Sequence, residues 1–474
     1  MTAGFLESRC PADPSLVLGR FPIAEAAEID RAVERARRAF PGWRDLGLEA
    51  RASHLVRFRD LVRSRSDDLA RRIALEVGKA IWDAKSEAVL VAAKVDVTLD
   101  EGLRFVATLE AGPGARATYH PRGVLAVLGP FNFPAHLPNG HIVPALATGN
   151  TVIWKPSELA PAVAEWIASA WHEAGLPDGV LGVVQGSATT GRTLAVHPDV
   201  DGVLFTGSSA TGAALSRATL DQPGKLLALE LGGKNGILVL DDADLDLALA
   251  ETAISICATT GQRCSSASRI FVAEKVFDSF AERLARILRG VAIGPPLDPG
   301  VFMGPLVSEA AYEKLLRYRA LSIEAGGERI VEGDTRLEPP FAAPGLARFA
   351  DASQRHPYHR DEIFGPEAGI HPVPDLDAGI AALDDCDFGL VASIFTRDRS
   401  RYEHGIGRVR TGLLHWNRGT IGASGRLPFG GLRRSGNDRP AGILSTVYCS
   451  VVQAHLEHEG GFDPASLPPG MPRP

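Results

Sequence analysis

The chain has 474 residues, which at roughly 150 residues per domain leaves room for about three domains. Its composition, 45% hydrophobic, 7% aromatic and 23% charged, is that of a soluble globular protein. With 50 basic against 57 acidic side chains the net charge is −7, which argues against the broad basic surface that nucleic acid requires.

The opening stretch, MTAGFLESRCPADP, has neither a basic n-region nor an apolar h-region, so no secretory signal is expected. The first hundred residues read as helical. Ile29, Val33, Ala36 and Phe40 recur at a 4-3-4 spacing, one apolar stripe on a helix. The pattern continues over 49–90 with a break near 64–66. At 106–121 a polar segment turns at Gly112-Pro113-Gly114 between two extended arms.

From residue 124 the pattern changes. Short β-rich runs at 124–128, 151–154, 180–184, 203–205 and 226–229 alternate with helix-length segments at 138–148, 161–174, 188–196 and 208–219. This is the sequence form of βαβ units on a doubly wound parallel sheet, so the fold class is α/β. Such sheets take ligands beyond the carboxyl ends of their strands, where Asn132, Lys155, Gly186, Ser208 and Glu230 fall. A second α/β region spans about 233–440, with a strand at 237–240 and a helix opened by the acidic run DDAD at 241–244. A strand is expected at 445–453, followed by a loose Pro/Gly-rich tail. No run approaches the roughly 20 apolar residues of a membrane span, so no membrane partner is expected.

Some signals carry little. GPGARA at 112–117 matches a G-x-G-x-x-A fingerprint, but Pro121 denies it the following helix, and it reads as a hairpin tip. His356, His359 and Glu362 have metal-like spacing, but Pro357 disfavours the helix they would share, and no metal is expected. There is no G-x-S-x-G elbow and no Walker sequence. The charged run at 57–72 is a solvated helix face.

Five cysteines imply no disulfide framework and a reducing, cytoplasmic compartment. Cys10 sits in a flexible-looking terminus and Cys449 in an expected strand. Cys257, within AISICATT, reads as a small buried hydrophobe. Cys386 is flanked by acids, which disfavour a thiolate. Cys264 differs: it lies in the polar loop Thr260-Gly261-Gln262-Arg263-Cys264-Ser265-Ser266 beside a cation that would favour thiolate. Local context leaves two readings open, a nucleophile and a partly buried structural thiol.

Two further segments bear on that choice. Gly129-Pro130-Phe131-Asn132-Phe133-Pro134 follows the first sheet strand, and Leu229-Glu230-Leu231-Gly232-Gly233-Lys234 ends the fifth. With GQRC, and with KPSE at 155–158, FTGS at 205–208, EIFGP at 362–366 and PFGG at 428–431, they resemble the aldehyde dehydrogenase superfamily, in order and over nearly the whole chain.

The resemblance implies oxidation of an aldehyde to an acid. A nucleophile must first add to the carbonyl, and a thiolate suits that task. Cys264 would form a thiohemiacetal, its oxyanion held by the Asn132 side chain and the Cys264 backbone N–H. Glu230 would activate water to hydrolyse the resulting thioester. The implied cofactor is NAD. Lys155, Ser157 and Glu158 would meet the adenine ribose, where a carboxylate accepts from ribose hydroxyls and repels a 2′-phosphate, favouring NAD over NADP. Gly207, Ser208, Ser209, Ala210, Thr211 and Gly212 would cradle the pyrophosphate. Glu362 and Phe364 match the family's contacts to the nicotinamide ribose and ring, and Phe131, Gly186 and Leu231 complete the expected cofactor set.

A narrower resemblance, in NFPAHLPNGHIVP at 132–144 and SGNDRP at 435–440 with Tyr448-Cys449, is to dehydrogenases of N-succinylglutamate 5-semialdehyde in bacterial arginine catabolism. That substrate is a dianion, so Arg263, Arg426 and Arg439 are candidate anchors. Three departures stand out. Asp438 replaces a usual His, SSASR follows Cys264 where a Thr-Cys pair is expected, and the chain lacks the usual N-terminal short strand with its I-N-G-x-W segment. The resemblance implies an NAD-binding domain at 1–101 and 122–232 and a catalytic domain at 233–440. It also implies an oligomerisation arm at 102–121 and 441–458, a flexible tail at 459–474, and a homodimer or dimer of dimers. Alternatives are another (semi)aldehyde, a CoA-acylating enzyme, and a nucleotide-binding structural protein without activity. Glu230 argues against the second of these, and the trio Asn132, Glu230 and Cys264 against the third.

Overall fold

The computed structural model describes residues 4–473 apart from 334–335, 353–354 and 462. Two sheets organise the chain. The first has five strands, all neighbours parallel, in the spatial order Leu181–Val183, Thr151–Lys155, Val124–Leu128, Gly202–Gly207, Leu226–Leu231. Val124–Leu128 and Thr151–Lys155 are buried at every position, as a strand covered on both faces must be. The chain leaves Val124–Leu128 to one side for the next two strands and returns on the other for the last two. That reversal opens a crevice at the carboxyl edge.

Helices cover both faces of this sheet. On one side Leu48–Ser64, Ser66–Val77, Ile81–Asp96, His136–Ala147 and Pro161–Glu173 enclose the largest core, in which Phe58 stacks on Trp171 with ring centroids 3.7 Å apart. On the other, Ala26–Asp45, Ala188–Val196 and Ser209–Ala218 pack over Val124, Ala126, Ile153 and Val203. The helices near 138–148, 161–174, 188–196 and 208–219 fall within two residues of expectation.

The second sheet has seven strands, in the order Glu328–Val331, Gly345–Arg348, Glu367–Val373, Ala267–Ala273, Asn235–Val239, Val391–Phe395, Leu413–Trp416, parallel except for the first pair. The helix after Asn235–Val239 runs Leu245–Cys257, and Asp244 caps it by accepting from the Leu247 N–H at 3.2 Å. The link between the sheets is only three residues, 232–234. The carboxyl edge of the first sheet therefore faces the amino edge of the second.

The expected hairpin is present. Leu109–Gly112 pairs antiparallel with Ala115–Pro121, which pairs antiparallel with Ser450–Leu456. Ile81–Asp96 is long, but no helix of the described residues is long and apolar enough to cross a membrane.

The structure corrects three expectations. The first hundred residues are not all helical: Phe5–Cys10 and Asp13–Pro22 form an antiparallel hairpin, so the N-terminal strand read as missing is present. Ser8 in that hairpin donates to Glu76 at 2.5 Å, and Glu76 accepts the Ala162 and Val163 N–H groups that open a helix, which fastens the hairpin to the domain. Cys10 is accordingly buried rather than in a loose terminus. Residues Ser445–Tyr448 form a helical turn, and Cys449 caps it just before the strand begins. Parts of the tail at 459–474 and of the first segment, residues 462, 474 and 1–3, lie outside the described residues.

Candidate active site

A cavity of about 970 Å³ lies between the two sheet edges. Asn132, Glu230 and Cys264 all line it. Each arrives from a different element. Asn132 lies in the loop after Val124–Leu128, Glu230 near the end of Leu226–Leu231, and Cys264 in the loop before Ala267–Ala273.

The Cys264 loop is shaped by unusual backbone. Thr259 and Thr260 have φ of 53° and 54°, and Gly261 follows at 68°, three left-handed residues in succession. A Cβ at Gly261 would come within 2.2 Å of the Gly365 carbonyl carbon, so only glycine fits. Asn235 holds the other side: its amide donates to the carbonyls of Cys264 at 2.7 Å and Ser266 at 2.9 Å. Burial, with Glu362 and Glu230 nearby, pushes the Cys264 thiol up to about 12. Arg263 acts in the opposite direction but does not prevail, contrary to the expectation that it would favour thiolate. Its guanidinium is bound to Asp83 at 2.7 Å.

The glycines of LGGK have a packing reason. A Cβ on Gly232 would strike the Glu362 carboxylate at 2.2 Å, and one on Gly233 would meet the Cys264 carbonyl at 2.5 Å. Their absence lets both approach the strand end, and Glu362 accepts from the Gly233 N–H at 2.9 Å. Burial holds Glu362 up to about 7. Phe364, in the same bend at φ 59°, meets Phe131 edge to face with centroids 5.9 Å apart.

Glu230 is buried, and burial pushes its carboxyl up to about 8, against the Ala441 N–H it accepts at 3.2 Å and the charge of Lys94. The SGN segment at 435–437 lies along its strand. The Leu231 N–H donates to the Ser435 carbonyl, and Asn437 accepts from Leu229 N–H while donating to the Leu227 carbonyl. Next to it, His141 bridges the Tyr448 hydroxyl at 2.7 Å and Thr206 at 3.1 Å, and Thr206 is the strand partner of Glu230. The two stretches of narrower resemblance thus meet behind Glu230.

The rest of the cavity suits a dinucleotide. Ser208 caps the ten-residue helix Ser209–Ala218, accepting from the Thr211 N–H at 3.2 Å, and leaves the helix N-terminus facing the cavity. Ala210, Ala214 and Ala218, four residues apart, put a small-residue face along the wall. Phe131, Lys155, Ser157, Glu158, Gly207, Leu231, Glu362 and Phe364 also line it. Lys155 and Glu158 are paired at 3.0 Å.

Other expected residues lie elsewhere. Gly186, Ser209 and Gly212 are off the cavity lining. Gly212 packs so that a Cβ would meet Leu231 at 2.7 Å, and Gly186, at φ 154°, leaves no room against Thr190. Among the three arginines, Arg263 is committed to Asp83, Arg426 pairs with Glu101 at 2.8 Å, and Arg439 donates to its neighbour's carbonyl at 2.8 Å. None lines the cavity. His356 caps the one-turn helix Pro357–Arg360, while His359 packs against Phe349 and His371. Arg192, Arg217 and Lys314 line the cavity and were not anticipated. Arg217 continues the face of Ala210 and Ala214 at helical spacing, a signal the sequence held.

The aldehyde dehydrogenase family profile matches residues 2–453. The N-succinylglutamate 5-semialdehyde dehydrogenase of Burkholderia ambifaria is 42% identical over 453 residues, covering 94% of this chain and 93% of that protein. Among solved structures, an NADP-dependent enzyme of E. coli superposes with a TM-score of 0.90 at 33% identity, covering 95% of this chain and 94% of that one. An NAD-dependent aldehyde dehydrogenase from Sinorhizobium meliloti gives 0.91 at 31% identity, with 97% and 93% covered.

Proposed function

The chain belongs to the aldehyde dehydrogenase family, and we propose that it oxidises N-succinyl-L-glutamate 5-semialdehyde to N-succinyl-L-glutamate with NAD. The observation that carries the reading is that Asn132, Glu230 and Cys264 line one cavity together with the N-terminus of the helix Ser209–Ala218, which suits a dinucleotide. The substrate assignment rests on the relatives' identity and on the 132–144 and 435–440 segments, which meet behind Glu230.

Cys264 sulfur adds to the aldehyde carbon as its S–H proton passes to solvent, and the carbonyl π pair moves onto oxygen. The Asn132 amide and the Cys264 N–H hold the oxyanion that forms. Removing one such donor costs on the order of a hundredfold or more in rate. A bound NAD would supply the hydride acceptor that oxidation of this carbon needs. Glu230 in its ionised form then takes a proton from water, and the water attacks the thioester carbonyl to release the acid and the thiol. The helix N-terminus at Ser209–Ala218 would hold the pyrophosphate and Glu158 a ribose, with Glu362 and Phe364 beside the nicotinamide. The five free cysteines suit a cytoplasmic setting. The arm formed by Ala115–Pro121 and Ser450–Leu456 suits a homodimer or dimer of dimers, since a free sheet edge invites pairing.

The test is NADH formation by the purified protein over a panel of semialdehydes, with and without CoA. The succinylated dianion is expected to give the highest kcat/KM, and CoA no acceleration. Preference for a long uncharged aldehyde overturns the substrate, and obligatory CoA overturns hydrolysis by Glu230.

A further inference from the structure

Behind the two loops that carry Asn132 and Cys264 lies a set of four buried or nearly buried charges. Lys79 precedes the helix Ile81–Asp96, and Asp83 and Glu87 stand four residues apart on it, hence on one face. Arg263 comes from the cysteine loop. The charges cancel in pairs: Lys79 donates to Glu87 at 2.6 Å with neither side chain exposed, and Arg263 donates to Asp83 at 2.7 Å.

We propose that Lys79, Asp83, Glu87 and Arg263 act as a clamp of positioning residues that fixes Asn132 against Cys264. This rests on the reading of those two residues as oxyanion donor and nucleophile. Glu87 takes the asparagine side. Its second oxygen accepts the Ala135 and His136 N–H groups, both at 3.0 Å, two of the unpaired donors that open the helix His136–Ala147. Asp83 takes the cysteine side. It accepts from Thr259 at 2.5 Å as well as from Arg263, and Arg263 also donates to Thr259 at 2.8 Å. Thr259 is the first of the left-handed residues, so the carboxylate holds the turn that sets the course of 259–264.

The two halves meet at Phe133, the residue after Asn132. The Lys79 ammonium lies 3.6 Å from its ring centroid and the Arg263 guanidinium 5.1 Å away. One face of one helix thus grips both loops, and the ring between them is touched by both cations. Apolar side chains of similar volume would often stabilise such a core as well or better. What ionic hydrogen bonds add is direction, and direction is what an oxyanion donor placed against a nucleophile needs.

The test uses Asp83→Asn, Arg263→Lys, Glu87→Gln and the double variant Lys79→Met/Glu87→Gln in the full chain. Each is expected to lower kcat roughly tenfold or more, since small misplacements at a reacting centre are costly. NAD affinity should stay within about twofold, because the cofactor walls are untouched. Alkylation of Cys264 by iodoacetamide should change by no more than about threefold, because it needs no oxyanion donor. The double variant, which leaves no unpaired charge, should recover the melting temperature while kcat stays low. Hydrogen exchange in Asp83→Asn should rise in both 129–136 and 259–266, a readout that does not depend on turnover. A kcat near the parent's in any folded variant, kcat recovering together with stability in the double variant, or exchange rising in one loop alone would overturn the clamp. A parent that oxidises no aldehyde would instead refute the functional reading, with the exchange data still deciding the coupling.

Discussion

Glu230 gives the sharpest handle on the chemistry. Burial holds its carboxyl at about 8, so it is neutral below that pH and becomes a base above it. At pH 7 such a group is roughly one-eleventh ionised and at pH 9 roughly ten-elevenths, so a step using it as base should accelerate about tenfold between them. The perturbation is Glu230→Gln, which keeps the shape and removes the base. The expected loss in steady-state rate is on the order of 10²–10⁴, with the pH dependence flattened. Stopped-flow NADH absorbance separates the steps: the variant should retain a burst of about one NADH per site, then turn over slowly as thioester accumulates. The Cys264 thiol, held up to about 12, titrates far from this range and would show in the burst rate rather than the later slope. Lys94→Met removes a nearby cation that favours the ionised carboxylate and should move the profile to higher pH. A Glu230→Gln enzyme whose slope is near the parent's, or still rises through pH 8, would refute the reasoning.

Other outcomes follow from the same structure. Asn132→Ala should lower kcat on the order of a hundredfold or more while NAD affinity by fluorescence titration is kept. Glu158→Gln should narrow the ratio of kcat/KM for NAD over NADP, because it removes the carboxylate that repels a 2′-phosphate; an unchanged ratio would place that discrimination elsewhere. Phe58→Ala empties a fully buried stack against Trp171 and should cost about 3–5 kcal/mol in urea unfolding, with activity per folded molecule unchanged.

The five strands of the first sheet were legible because they are short apolar runs such as VLAVL, which is buried at every position, set between helix-length segments. The N-terminal hairpin was not. Its second strand is mostly exposed, so no alternation of apolar and polar residues announces it, and it is fixed by Ser8 on Glu76, 68 residues away. Asn132, Glu230 and Cys264, which line one cavity, were legible through their motifs, but the partner of Arg263 was not. Beside Cys264 it reads as a free cation, and its partner Asp83 lies 180 residues earlier, on a helix whose sequence gives no hint of the contact. Asn235, which holds the Cys264 loop by two carbonyls, follows the Gly-Gly-Lys run and lies two residues before the strand expected at 237–240, so nothing in the sequence singled it out.

Intact mass and peptide mapping of the Glu230→Gln protein, quenched after mixing with NAD and N-succinylglutamate 5-semialdehyde, tests the central claim most directly. The account predicts one succinylglutamyl acyl group per chain, on the peptide carrying Cys264 and absent from Cys264→Ala. Unmodified protein despite an NADH burst, or an adduct on another residue, would contradict it.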